Sequence, residues 1–208
     1  ITGGAYGTHI FDNTIAYNGT DADHAGVHIG GTGSTSNAIF ANRIYDNAGL
    51  GIDLGSVGVD PIDNDATADH AYANGGQNAP YLYQSTGGHH SGSVMGRLNT
   101  RDGAYHVDFY ASPDCDSSGH GEGRYYLGRS DVAISGALPG ENGQVNFILP
   151  IQGAQDLDGM AITAVAIDDT HDGDWTRQGN TSEFSNCVTH QFIDYIFIDG
   201  FENEGESR

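Results

Sequence analysis

The chain has 208 residues, of which 28 are acidic and 7 basic, giving a net charge of −21 at neutral pH. It contains no lysine. This excludes Schiff-base and phosphate-loop lysine chemistry, and so acidic a chain repels nucleic acid and anionic membranes. Thirty-two glycines and 37% apolar residues, beside 10% aromatics, argue against disorder and for many short strands joined by Gly, Asn and Asp turns. No apolar run approaches the roughly 18 residues of a membrane helix, so membrane insertion is not expected. The sequence opens on Ile1 without a signal-peptide pattern and is read as a processed chain or a fragment.

Residues 1–59 repeat. Ile10-Phe11-Asp12-Asn13-Thr14-Ile15-Ala16-Tyr17-Asn18 returns 29 residues later as Ile39-Phe40-Ala41-Asn42-Arg43-Ile44-Tyr45-Asp46-Asn47. Each copy is followed by a short alternating stretch, Gly26–Ile29 and Gly51–Leu54. A period in the twenties with recurrent Asn predicts about two coils of a parallel solenoid. Ile10, Ile15, Val27 and Ile29 would point inward in the first coil, and Ile39, Ile44, Ile52 and Leu54 in the second. Asn at one corner would stack on Asn at the next. An ordinary β-meander is the plainer alternative, but five matches in nine aligned positions weaken it. Solenoids need roughly three repeats for a continuous core, so the first coil is expected to expose an apolar edge.

The Asn-x-Ile-x-x-Asn corner at Asn42–Asn47 and the strand Gly51-Ile52-Asp53-Leu54-Gly55 resemble the right-handed parallel β-helix repeats of large bacterial secreted surface proteins. In such proteins a similar Asp-rich loop leads into Gln-Asn-x-Pro, here Gln77-Asn78-Ala79-Pro80. Residues 60–79 therefore read as an acidic junction. Asp60, Asp63, Asn64, Asp65 and Asp69 crowd oxygen ligands that suit calcium, although the bidentate Glu of an EF-hand is missing. A solvated linker is the alternative.

From Pro80 the period becomes two. Eight strands are expected: 81–85, 93–98, 104–111, 124–129, 132–135, 144–149, 161–167 and 182–189. Tyr105, Val107, Phe109 and Ala111 share one face, and His106, Asp108 and Tyr110 the other. Residues 80–189 thus read as an immunoglobulin-like β-sandwich. Cys115 and Cys187 lack any metal spacing, so a disulfide is the simplest use and two free thiols the alternative. The acidity and the surface-type repeats favour export and the disulfide. The same resemblance extends through Val107–Cys115, Gly119–Gly123, Ile162–Ala166 and Gly179–Ser185, and covers roughly residues 10–189. A second acidic cluster, Asp168, Asp169, Asp172 and Asp174, either converges on calcium or forms a solvated loop, with Trp175 expected against the loop base.

Residues 190–208 hold an apolar, β-prone strand (Phe192, Ile193, Tyr195, Ile196, Phe197, Ile198, Phe201) before an acidic end. Its motif Ile196–Glu202 resembles a terminal motif of secreted proteins from some Gram-negative bacteria. Such a strand docks on its own sandwich or adds to a neighbouring molecule. No catalytic residue is named: there is no Gly-x-Ser-x-Gly elbow, no Cys/His nucleophile pair and no His triad, and abundant carboxylates do not make a site. The whole is read as an all-β extracellular structural or adhesive protein of a bacterial surface. Head-to-tail self-association into filaments and calcium stabilisation are expected. A carbohydrate-active module that binds or cleaves polysaccharide is the alternative, as is a stable fragment of a large adhesin.

Overall fold

A computed structural model describes residues 1–62, 72–171 and 178–194. Among the described residues the protein is all-β, with one short 3₁₀ turn at Ala73–Gly76. Six three-residue strands come first: β1 His9–Phe11, β2 Thr14–Ala16, β3 Val27–Ile29, β4 Ala38–Phe40, β5 Arg43–Tyr45 and β6 Ile52–Leu54. They pair in parallel as β1–β4, β2–β5 and β3–β6, so the second turn of chain lies directly beneath the first. Ile10 sits over Ile39 and Ile15 over Ile44. The third pair, Val27 over Ile52, is 25 residues apart because the first turn carries a longer loop after Asn18.

The corners between these strands follow one rule. A residue with positive φ precedes each ladder position: Gly7 before Thr8, Ser36 before Asn37, Asp12 before Asn13, Ala41 before Asn42, Tyr17 before Asn18 and Asp46 before Asn47. Left-handed backbone is unfavourable for most side chains. The following side chain compensates by holding the layer above. Asn42 Oδ1 accepts the Asn13 N–H at 3.0 Å, and Asn42 Nδ2 donates to Ile10 O at 2.7 Å. Asn47 does the same for Asn18 N–H (3.2 Å) and Ile15 O (3.2 Å), and Asn37 for Thr8 N–H (3.2 Å) and Ala5 O (3.1 Å).

Seven longer strands follow: β7 Tyr81–Gly87, β8 Ser91–Thr100, β9 Gly103–Ser112, β10 Tyr125–Ile134, β11 Gly143–Gln152, β12 Ala161–Asp168 and β13 Val188–Phe192. Their order in one hydrogen-bonded sheet is β10-β9-β12-β13-β7-β8-β11. β13 makes the sheet continuous, pairing antiparallel with β12 through Val188 and Thr189, then parallel with β7 through His190–Phe192. The sheet curls until the outer strands β10 and β11 approach each other. Its interior holds Leu82, Val94, Leu98, Tyr105, Val107, Phe109, Phe147 and Ile162.

Seven strands stand where eight were expected. The segments expected at 124–129 and 132–135 merge into the single strand β10, Tyr125–Ile134, because Gly128, at φ 124°, absorbs a register shift against β9. Residues 182–187 do not extend as a ladder. Ser182 and Ser185 instead serve the edge of β12 with their hydroxyls, accepting the Ala166 and Ala164 N–H groups at 2.9 Å each.

The two regions share a core. Ile39, Ile44, Ile52 and Leu54 of the coil pack with Tyr110, Val165, Ile167 and Phe184. β12 is therefore buried along its whole length, and the second face of β9, including Asp108, lies under the coil. The Cys115–Cys187 disulfide, 72 residues apart in sequence, straps the β9–β10 connection to the start of β13.

Candidate functional site

The coil ends differently above and below. Its lower layer rests on the sheet through side chains that imitate the next coil. Asn18 places its N–H and Nδ2 on Asn47 Oδ1 at 3.2 and 2.9 Å. Asn47 places the same two groups on Glu122 Oε1 at 3.0 and 2.9 Å. Glu122 thus occupies the ladder position below Asn47. Burial raises its pKa, while the Asn47 bonds pull it down.

Asn74, from the 3₁₀ turn, continues the Asn37 column in the same way, at 3.1 and 3.2 Å. Other second-layer N–H groups are met by the sheet region. Ser36 donates to Asn180 Oδ1 (2.7 Å), Ile39 to Thr181 Oγ1 (2.8 Å), Ala41 to Asp108 Oδ2 (3.1 Å) and Leu54 to Glu183 Oε1 (3.0 Å). Ile44 and Gly123 exchange backbone bonds of 2.8 and 2.6 Å. A buried strand edge left unbonded would be costly; this seam leaves these groups satisfied.

Asp108 anchors the seam. It is 0% exposed and takes a bidentate grip from Arg129, Nε at 2.7 Å and Nη2 at 3.0 Å. The same guanidinium lies over the Phe40 ring of the coil, 5.1 Å from its centroid. A buried ion pair is tolerated when its remaining lone pairs are also bonded, and here Ala41 N–H and the Tyr126 hydroxyl (3.4 Å) bond them. Burial, then Asp108, pushes the Tyr126 hydroxyl up to about 12, so it stays a donor.

An acidic cleft of about 400 Å³ opens beside Leu54, Asp60, Gln77, Asn78 and Glu183. Glu183 accepts the Leu54 N–H at 3.0 Å and the Asp60 N–H at 2.9 Å. Burial nevertheless raises its pKa to about 7. Asp60 is raised to about 6, first by burial and then by the Asp53 charge. Gln77 Oε1, buried here, has no hydrogen-bond partner among the described residues.

The predicted ligand residues fall in three places. Asp60 lines this cleft, while Asp63, Asn64, Asp65 and Asp69 lie outside the described residues. Asp168 is buried, its Oδ1 accepting the Thr170 N–H at 2.9 Å. Asp169 turns toward His106, Oδ2 to Nε2 at 3.2 Å. Asp172, Asp174 and Trp175 lie outside the described residues. Among the described residues, no three His, Cys, Asp or Glu side chains converge to hold a metal ion.

Among the described residues, the upper layer of the coil is the more exposed one. Tyr17 is 72% exposed and Phe11 55%. Phe11 stacks flat on Phe40, ring centroids 5.2 Å apart, and Tyr17 meets Tyr45 edge-on. Ile10 and Ile15 are only partly buried, where Ile39 and Ile44 below them are fully so. Ile1 already begins a further layer: its ammonium donates to His28 O at 2.8 Å and its carbonyl accepts the Gly30 N–H at 2.9 Å.

Of the apolar tail, Phe192 completes β13 and stacks on His89 at 4.2 Å, and Ile193 N–H bonds Gly87 O at 2.8 Å. Tyr195, Ile196, Phe197, Ile198 and Phe201 lie outside the described residues.

Sequence reasoning missed Glu122, Asp108, Asn180 and Glu183 as the foundation of the coil. No local pattern marks them, since each is 67 to 144 residues from its partner. Asn74, by contrast, could have been suspected as a further Asn in the ladder. No family model matches this chain, and no curated protein is recognisably similar to it.

Proposed function

We propose that this is an extracellular structural or adhesive protein of a bacterial surface. Its first part is a short right-handed parallel β-helix and its second an immunoglobulin-like β-sandwich. It assembles head to tail through the upper layer of the coil and the apolar stretch of sequence that follows β13. A large adhesin, or a stable fragment of one, would use the same parts.

One observation carries this reading: the coil is sealed below by Glu122, Asp108, Asn74, Asn180 and Glu183, and open above at Phe11, Tyr17, Asn13 and Asn18. A layer added above would meet the Asn13 and Asn18 amides in the way that their own layer meets Asn42 and Asn47. Contact between two different surfaces propagates as an open filament unless its rotation closes. Calcium stabilisation enters at the acidic junction: Asp60 and Glu183 crowd carboxylate charge in the cleft, and a divalent cation relieves that crowding.

The test keeps β13 whole. Truncation after Asp194 removes the apolar stretch while sparing the Phe192 and Ile193 contacts, and Tyr17→Asp charges the other surface. Light scattering and electron microscopy of the full chain should show threads that both variants abolish. A full-length protein that stays monomeric, or threads that survive both changes, overturns the assembly.

A further inference from the structure

The two halves of the sheet use their outer surfaces differently. The coil covers β9 and β12, packing on Tyr110, Val165 and Ile167. The outward side chains of β7, β8 and β11 take no part in that core and stay exposed or half-buried. Strand register sets them in rows. Tyr81 lies beside Arg97 in the first row, Met95 beside Ile148 in the second and Thr86 beside Ser93 in the third. Ile148 is 66% exposed, and Tyr81, Tyr83 and Met95 are exposed with it. The rings of Tyr81 and Tyr83 meet with centroids 5.4 Å apart, and the Arg97 guanidinium lies over the Tyr81 ring. Long side chains thus fill the first two rows, and short ones the third.

Charge divides the same two halves. β9, β10 and β12 carry Asp108, Asp131 and Asp168. None of the chain's 28 acidic residues lies in β7, β8 or β11, and Arg97 is the single charged residue of those strands. On a chain of net charge −21 this absence is informative. Two such polyanions resist close contact wherever carboxylates face each other, and this face brings none.

These features select the partner. A cation finds no carboxylate here, and an anion finds one arginine already seated on Tyr81. A neutral surface with an apolar centre is what the face can cover, and a second copy presents such a surface. The rows are also self-complementary. A two-fold axis lying in the plane of the face, across the strands at Met95 and Ile148, sets the first row of one copy on the third row of the other. Tyr81 then covers Thr86, Arg97 meets the Ser93 hydroxyl, and Ile148 packs on its own equivalent, as in the face-to-face packing of two sheets. Ten paired residues of β8 and β11, and a width of three strands, give a footprint of about 30 by 15 Å. That is below the roughly 800 Å² that each partner gives a standard interface, so the pair belongs to the weak, reversible class.

We infer that the outer face of β7, β8 and β11 is a homodimer interface, where two copies of this chain pack face to face about a two-fold axis at Ile148. The contact is lateral and uses neither the upper layer of the coil nor the sequence after β13. It therefore stands or falls apart from the end-to-end assembly. Where both hold, the threads are paired.

The test uses the full chain carrying Tyr17→Asp, which removes the end-to-end contact. Sedimentation equilibrium should show monomer and dimer with a Kd on the order of 10–100 μM. The Kd should tighten several-fold between about 50 mM and about 500 mM salt, because screening weakens the repulsion of two polyanions. Adding Ile148→Glu should weaken pairing at least roughly tenfold without moving the melting temperature. Ile148→Cys should join to its own equivalent under mild oxidation, since both native cysteines are already paired. Leu138→Cys, equally exposed but between β10 and β11, should not. A chain that stays monomeric at about 0.5 mM, dimers that survive Ile148→Glu, or Leu138→Cys joining as fast as Ile148→Cys each overturn the interface. So does pairing that appears only after truncation past Asp194, which gives the face to the chain's own end. A monomer retained on a neutral glucan through Tyr83 gives the face to a glycan and overturns it as well.

Discussion

The coil and the sheet are both built of strands, yet they stay folded for different reasons. A sheet strand such as β9 is ten residues long, alternates its side chains and finds partners on both sides within its own region. A coil strand is three residues long and parallel to a single partner, and its corners adopt left-handed backbone at non-glycine residues. A coil layer therefore owes its stability to the layer beneath it, as in repeat proteins where neighbour contacts dominate. The lowest layer owes it to the sheet. Cooperativity here should run upward from the seam.

Phe184→Ala gives the largest expected break in that dependence. Phe184 packs on Tyr110, ring centroids 5.4 Å apart, in the core shared by coil and sheet. Its loss should cost about 3–5 kcal/mol. Hydrogen exchange should show β4, β5 and β6 opening well before β8 and β9. If coil and sheet amides lose protection equally, the coil does not hang on the sheet as described.

A smaller, sharper contrast compares one ladder column at two heights. Asn42→Ala removes the acceptor for Asn13 N–H and the donor to Ile10 O, and should cost about 1–3 kcal/mol. Asn13→Ala, at the open end, should change stability by less than about 0.5 kcal/mol. Urea unfolding of the two variants measures the difference; equal losses would remove the directionality of the ladder.

The smallest expected effect is on pH. Glu183 and Asp60 have folded-state pKa values raised to about 7 and about 6. A raised acid penalises the fold where it is ionised, above its folded value. The penalty lifts as pH falls through that value toward the ordinary carboxylate range. In chelator, the melting temperature should therefore rise on the order of a few degrees between about pH 8 and about pH 5. Calcium should flatten the slope by stabilising the protein at the high end, and Glu183→Gln should remove part of it. A slope that falls with acidification, or that ignores both calcium and Glu183→Gln, contradicts this account of the acidic cleft.

How much of this was legible in the sequence follows from how local each determinant is. The stacking of Asn42 under Asn13 could be read because the repeat spells both partners 29 residues apart. The Tyr105, Val107, Phe109 face could be read because strand alternation is a property of the strand alone. The disulfide pairing of Cys115 with Cys187 followed from there being only two cysteines. Other features could not be read this way. Asp108 sits on the face of β9 that alternation marks as solvent-facing, and only the coil above makes that face interior. Ser182 and Ser185 look like strand residues, but each meets one residue of β12 with both its hydroxyl and its own N–H, in place of a continuous ladder. The corner rule was read at Asn, whereas the backbone that permits the corner belongs to the residue before it.

Glu122 has one further consequence. An asparagine in the ladder both gives and takes, so each one asks for another below it. A carboxylate only takes, and it terminates the series. The stack therefore has a fixed ground floor and no fixed height. Duplicating a unit such as residues 10–38 should insert a storey without disturbing the foundation, and length is the property such a design leaves free to vary.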